Sequence, residues 1–229
     1  MRLDKYLRDC GYGTRSEIRL MVRNGRVSVN ASIVNDPAAI IDEAADSVLV
    51  DGQELVYTQY VWFMLNKPAG YITANKGKVP TVMDLVPEPY LNLYPVGRLD
   101  KDTEGLLLIT NDGMLGHSLL SPRKHVEKEY YVELKHEVSE ADAARIAEGL
   151  TGENGTVYAP AECRDIAGNT CRIILHEGKY HEIKRIFMIL DNTVTYLRRI
   201  RMKNLVLDEA LKPGEYRRLT QEEIKGLYE

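Results

Sequence analysis

Residues 95–110, Pro95-Val96-Gly97-Arg98-Leu99-Asp100-Lys101-Asp102-Thr103-Glu104-Gly105-Leu106-Leu107-Leu108-Ile109-Thr110, set a charged turn directly against an apolar run. The run from Gly105 to Thr110 reads as a buried strand, and Asn111-Asp112-Gly113 ends it with turn residues. On the N-terminal side, Val61-Trp62-Phe63-Met64-Leu65 reads the same way and is broken by Asn66-Lys67-Pro68-Ala69-Gly70-Tyr71. On the C-terminal side, 128–134, 171–175, 193–201 and 204–207 have strand composition. Helices are predicted where Ser139-Glu140-Ala141-Asp142 opens a stretch carrying Ala143, Ile146, Ala147 and Leu150, and over 181–190. Short strands with few helices, in no βαβ rhythm, predict an α+β fold whose sheet is mostly antiparallel and flanked by helices. This domain is expected to span residues 58–229, after a smaller one at 1–57.

The turn at 97–105 invites several chemical readings. Asp100-Lys101-Asp102-Thr103-Glu104-Gly105 resembles the opening of a calcium loop, but position 12 would be Asn111 and positions 7–10 are apolar, so no calcium site is expected. As residues alone, a polar turn in which Asp100 bonds its own backbone is the plain alternative. His181-Glu182-Ile183-Lys184-Arg185 begins like a zinc-protease helix but has Arg185 where the second histidine belongs, and Cys163, Cys171, His176 and His181 are irregularly spaced. No phosphate-cradling glycine loop occurs either, so neither a metal nor a cofactor is expected.

Composition bounds the rest. The 229 residues are 44% hydrophobic and 28% charged, as in a chain that buries a core, and carry a formal net charge of −4. That balance excludes a uniformly basic nucleic-acid coat but not a basic patch. Two basic blocks do exist, +4 over residues 1–30 and +5 over 171–205, while 31–60 and 136–170 are acidic. The three cysteines (Cys10, Cys163, Cys171) imply reduced thiols, and with no apolar run of membrane-spanning length and no leader-like start, a cytoplasmic monomer without membrane contact is expected. In the first basic block, Thr14-Arg15-Ser16-Glu17 is a capping box and Gly25 a stop, which predicts a helix preceded by a short one over 3–8. Ile18, Met21 and Val22 would face a core, whereas Arg15, Arg19 and Arg23 recur every fourth residue on another face, suited to phosphate contacts.

The runs RLDKYL, TRSEIRLMVRNGRVSVN and VLVDGQEL resemble an S4 (αL-type) RNA-binding domain, with Gly25 and Arg26 in its closing NGRV. The segments NKPAGY, VGRLDKDTEGLLLITNDG, SPRKHVEKEYYVEL, EGKYHEIKRIFMIL and LKPGEYRRLT, in that order, closely resemble the RsuA-type pseudouridine synthases. That resemblance implies isomerisation of a uridine in ribosomal RNA without a cofactor. By position it implies Asp100 as the catalytic aspartate, Tyr130 as the tyrosine that stacks on the target base and assists proton removal, and Lys184 as the basic partner of the aspartate. The wider superfamily usually has arginine at the last of these, with Arg185 the neighbouring candidate. Arg98 and Lys67 match basic positions bordering the cleft, and Arg15, Arg19, Arg23, Arg26 and Arg185 are the further expected RNA contacts. The start of the chain and its GEYRRLT ending favour 16S rRNA of the small subunit. A 23S enzyme of the same family, or a noncatalytic RNA-binding assembly protein, are the alternatives.

Overall fold

The computed structural model describes residues 1–121 and 124–229; Pro122 and Arg123 of the SPRKHVEKEYYVEL segment lie outside the described residues. Backbone contacts divide the chain into two compact units, Met1–Val61 with Pro87–Leu93 and Thr110–Asp112, and Trp62–Val86 with Tyr94–Ile109 and Gly113–Glu229.

In the first unit, helices α1 (Leu3–Asp9) and α2 (Arg15–Arg23) pack on an antiparallel sheet of order β2 (Ser32–Ile33), β1 (Val27–Val29), β3 (Val48–Val50), β4 (Gln53–Leu55). The start of α2 is set by reciprocal bonds: the Thr14 amide donates to Glu17 Oε2 at 2.7 Å, and the Glu17 amide donates to Thr14 Oγ1. It ends at Gly25, whose φ of +71° is the left-handed conformation that glycine adopts without strain. Ile18 and Val22, one turn apart, are fully buried against Leu3, Leu7, Val27 and Val48. Truncating either to Ala would cost about 2–4 kcal/mol through lost burial and a cavity. That burial fixes the roll of the helix, and Arg15, Arg19 and Arg23 are consequently exposed.

The second unit contains β5 (Trp62–Lys67), a 3-10 turn (Val82–Leu85), β6 (Tyr94–Pro95), β7 (Glu104–Thr110), α3 (Gly113–Leu120), β8 (Lys128–Leu134), α4 (Glu140–Glu148), β9 (Leu150–Thr151), β10 (Val157–Tyr158), β11 (Glu162–Ala167), β12 (Thr170–Leu175), α5 (Glu182–Ile189), β13 (Val194–Met202), β14 (Leu205–Val206), β15 (Tyr216–Arg218) and α6 (Gln221–Tyr228). The large sheet runs β11-β12-β8-β13-β7-β5-β15, with β6 beside β7 and β14 beside β13; β9 and β10 form a separate pair. Antiparallel pairing dominates, and β13 and β7 form a parallel junction at the middle of the sheet. Gly105 makes that junction possible: a Cβ there would lie 2.2 Å from the Arg199 carbonyl, and its φ is +97°. Every residue of β5 is buried, and Trp62, Met64, Leu106 and Leu108 form one core with Leu119, Met202 and Leu227. No helix among the described residues is long and apolar enough to cross a membrane.

The strands expected at 61–65, 105–110, 128–134, 171–175 and 193–201 correspond to β5, β7, β8, β12 and β13. Strand β11 was not anticipated: it is an edge strand with no buried residue, so it has no apolar run to betray it.

Candidate active site

The turn at 97–103 enters the heart of the sheet between β6 and β7, and four backbone or side-chain anchors hold it. Thr73, buried, grips Leu99 twice: its Oγ1 donates to the Leu99 carbonyl at 2.8 Å and accepts from the Leu99 amide at 3.1 Å. The Gly70 amide donates to the Lys101 carbonyl at 2.8 Å, and the Thr103 amide donates back to the Asp100 carbonyl at 3.2 Å. Gly97, with φ +77°, turns the chain where a Cβ would meet Leu120 Cδ2 at 2.8 Å. Beneath the turn lies Lys67. Its ammonium donates to the carbonyls of Thr103 (2.7 Å), Pro68 (3.0 Å) and Lys101 (3.3 Å), and its side chain is wholly buried. Burial pushes the Lys67 pKa down to about 8, although Asp102, Glu104 and Asp100 pull the other way. The cleft-border position expected for Lys67 is therefore corrected: with no exposed surface and its donors committed to three carbonyls, it props the turn from below and has nothing to offer RNA.

Above this scaffold the Asp100 carboxylate meets two groups from the start of α5. Its Oδ2 is 3.1 Å from Lys184 Nζ, and its Oδ1 is 3.5 Å from His181 Nε2. Lys184 also donates to both oxygens of Asp102, at 2.6 and 2.9 Å, so one ammonium bridges two carboxylates of the same turn. Burial opposes ionisation of Asp102, but the Lys184 ammonium outweighs it and holds the carboxyl below its ordinary range. The same contacts overcome the burial of Lys184 and raise its pKa, so it stays charged. His181 opens the helix in the left-handed region, φ 53°, and stacks on Tyr180 with ring centroids 3.7 Å apart. Next to it in the chain, Glu182 is buried, and burial reinforced by Glu177 raises its pKa.

Tyr130 comes from β8, where alternation points Lys128, Tyr130 and Val132 to one face and Tyr131 to the other. Tyr130 is buried and shares with Asp100, Lys184, Arg98, Leu175 and Leu197 a pocket of about 80 Å³. A wider cavity of about 650 Å³ opens beside it, with Arg98, Asp100, Tyr130 and His181 also in its lining. Asp100, Tyr130, Lys184 and Arg98 are thus brought together from β8, α5 and one loop. Arg185 is not: it lies over the Tyr180 ring at 5.2 Å and lines a different hollow with Met188 and Tyr158. Arg15, Arg19 and Arg23 remain exposed on α2 of the other unit, and Arg26 is held by Asp51 in a two-pronged ion pair at 2.9 and 2.5 Å. Among the described residues no group of three or more His, Cys, Asp or Glu side chains is placed to hold a metal ion.

Sequence reading had no role for Thr73 or Asp102, and met His181 only as a rejected metal ligand. Asp102 carried a signal, two positions from Asp100 in the same turn. Thr73 carried none, because the contact spans 26 residues and depends on where β5 and the turn meet.

Residues 61–188 match the RNA pseudouridylate synthase family, and residues 1–48 match the S4 domain. A Bacillus subtilis protein named as an uncharacterized RNA pseudouridine synthase is 41% identical over 236 residues, covering 100% of this chain and 99% of its own. The ribosomal small subunit pseudouridine synthase A of Yersinia pestis is 39% identical, over 99% of this chain and 98% of its own. A crystal structure of a pseudouridylate synthase aligns with a TM-score of 0.69 at 36% identity, covering 99% of both chains. With an S4 domain ahead of a catalytic sheet that gathers a carboxylate, a lysine and a tyrosine in one pocket, the chain belongs to the RNA pseudouridylate synthase family and is an isomerase acting on RNA.

Proposed function

We propose that this enzyme isomerises a uridine of small-subunit 16S ribosomal RNA in the cytoplasm, with residues 1–57 holding folded RNA while residues 58–229 carry out the reaction through Asp100. The convergence of Asp100, Lys184 and Tyr130 on one pocket carries the reading. The choice of ribosomal RNA is supported by full-length likeness to enzymes named for the small ribosomal subunit. The acting species in this proposal is a monomer.

Forming pseudouridine breaks the N1–C1′ bond, turns the detached uracil and joins C1′ to C5. N1 gains a proton and C5 loses one, so atoms balance without a cofactor. The base must leave its stack to reach the pocket. The carboxylate must lie close to the reacting atoms, and the Lys184 ammonium 3.1 Å away helps hold it in place. Tyr130 offers a ring face for the extruded base and a hydroxyl near the C5 proton, with Leu175 and Leu197 as the apolar wall. Lys67 and Thr73 act through position, keeping the Asp100 turn from moving.

Pseudouridine mapping of rRNA from cells lacking the protein should show one lost site in 16S rRNA, restored by the wild-type chain. Asp100→Asn should fail to restore it and should lower turnover by at least about 10³-fold with folding and RNA affinity kept. Normal turnover by Asp100→Asn would remove Asp100 from the chemistry, and a lost site in 23S rRNA would reassign the substrate.

A further inference from the structure

The 650 Å³ cavity beside Asp100 has a far wall that the reaction leaves unexplained. Two cations stand there nearly out of water: Arg199, 2% exposed, and Lys128, 9% exposed. Their strands are neighbours, β13 and β8, and Arg199 lies directly across from Tyr130 in the register. Both side chains line the same cavity.

Neither cation forms an ion pair among the described residues, although Glu182 lies near enough to act on Lys128. The Lys128 ammonium has one hydrogen bond, to the Val126 carbonyl at 2.9 Å. The Arg199 guanidinium donates through Nε to the Leu106 carbonyl at 2.7 Å, and its Nη2 is buried with no partner. Buried cations are normally paired, because an unpaired one forfeits its hydration with nothing in return. Here the two also repel: burial, and then the Arg199 charge, push Lys128 down to about 8 against the opposing pull of Glu182. Glu129, the residue next to Lys128, is bonded instead to Arg164 and Arg201.

We propose that Arg199 and Lys128 form a phosphodiester subsite, seating a backbone phosphate next to the uridine that enters the Asp100 pocket. This rests on the functional reading above and adds a contact that positions the flipped nucleotide. A phosphate suits the pair in three ways. Its single negative charge relieves the repulsion between the cations. Its tetrahedral oxygens accept from the uncommitted part of the guanidinium fork and from the ammonium together. The cavity opens beside the place where the ribose attached to the reacting base must lie, and in RNA a phosphate flanks every ribose on each side. The cavity also joins the Asp100 pocket through Tyr130, so base and phosphate would be held on two sides of one side chain.

The test uses the full chain and two probes, the uridine trinucleotide UpUpU and its neutral methylphosphonate analogue, compared by calorimetric competition. Wild-type protein should bind the charged trinucleotide at least about tenfold more tightly, as expected for charge-assisted bonds to one phosphate. Lys128→Gln, which keeps a donor for the Val126 carbonyl, should bring the ratio to within about twofold, whereas Lys212→Gln, at an exposed site elsewhere, should leave it unchanged. Equal affinities in the wild type, or an unchanged ratio in Lys128→Gln, would overturn the subsite. Should Lys128→Gln melt at assay temperature, inorganic phosphate titrated into the wild-type protein decides the matter: a saturable shift of the Arg199 Nε–Hε resonance supports the subsite and an unmoved resonance refutes it. Normal modification of rRNA together with equal affinities would sink the subsite alone. Absence of modification would sink the proposed function, and the phosphate titration would still report on the subsite.

Discussion

Replacing Lys67 with methionine isolates what a buried ammonium does for the Asp100 turn. The substitution keeps the length of the side chain and removes three donated hydrogen bonds, of which the 2.7 Å bond to the Thr103 carbonyl is the shortest. Leaving those carbonyls short of partners costs roughly 2–4 kcal/mol, since the Lys101 carbonyl keeps its bond from the Gly70 amide. Against this, the ammonium itself is strained by burial: a fall from 10.5 to about 8 corresponds to about 3 kcal/mol of penalty on its charged form at neutral pH. The two terms oppose, and the net change at pH 7 should stay within about 2 kcal/mol.

The discriminating signal is the pH dependence. Because the folded pKa is depressed, between about pH 8 and 10.5 the unfolded chain holds a proton on Lys67 that the folded chain has released, so wild-type stability rises with pH in that window. From pH 7 to 9.5 the Lys67 contribution should be about 2 kcal/mol, and Lys67→Met should lack it. Lys128, also depressed to about 8, contributes equally to both proteins and cancels in the difference. Urea unfolding at pH 7 and 9.5 measures the difference, and turnover measured alongside should fall about 10–100-fold as the turn loosens. Parallel stability profiles for the two proteins, or undiminished turnover, would refute the picture of a buried ammonium bracing Asp100.

Two further outcomes test neighbouring parts of the argument. Asp102→Asn should change turnover by less than about fivefold and stability by less than about 1 kcal/mol, since the carboxylate is 71% exposed and Lys184 keeps Asp100; a loss matching that of Asp100→Asn would assign the chemistry to the pair. Replacing Arg15, Arg19 and Arg23 together by Ala should flatten the salt dependence of RNA binding by about two units of slope, read from affinities across a salt series, and an unchanged slope would make the exposed stripe an ordinary solvated face.

Much of the fold is local enough to be legible in one dimension. The capping boxes at Thr14/Glu17 and Ser139/Asp142 place the starts of α2 and α4, because their partners are three positions apart, whereas Leu150, expected in α4, belongs to β9. Apolar runs reveal β5, β7 and β8 because these strands are buried on both faces or on one. Edge strand β11 and the three-residue β15 have no such signature, since pairing with β12 and β5 creates them. In the site, the ordered motifs single out Asp100, Tyr130 and Lys184, and Lys67 was singled out with the wrong surroundings. A lysine in Asn66-Lys67-Pro68 reads as polar turn material; only the stacking of the Asp100 turn over β5 buries it.

The sequence by itself determined the local elements, the family and the residue types available for chemistry, because caps, apolar periodicity and ordered motifs all act over a few neighbouring residues. Tertiary structure alone decided which charges meet. Lys184 reaches Asp100 and Asp102 across more than 80 residues, Arg199 and Lys128 line one cavity with no ion pair between either and a carboxylate, and Lys67 disappears beneath three carbonyls. Those outcomes depend on the parallel junction of β7 and β13 that Gly105 permits, and on the desolvation it imposes on whatever side chains surround it. Desolvation is a property of the packed interior, and it sets whether a given lysine stays on the surface, braces a turn or waits for a phosphate.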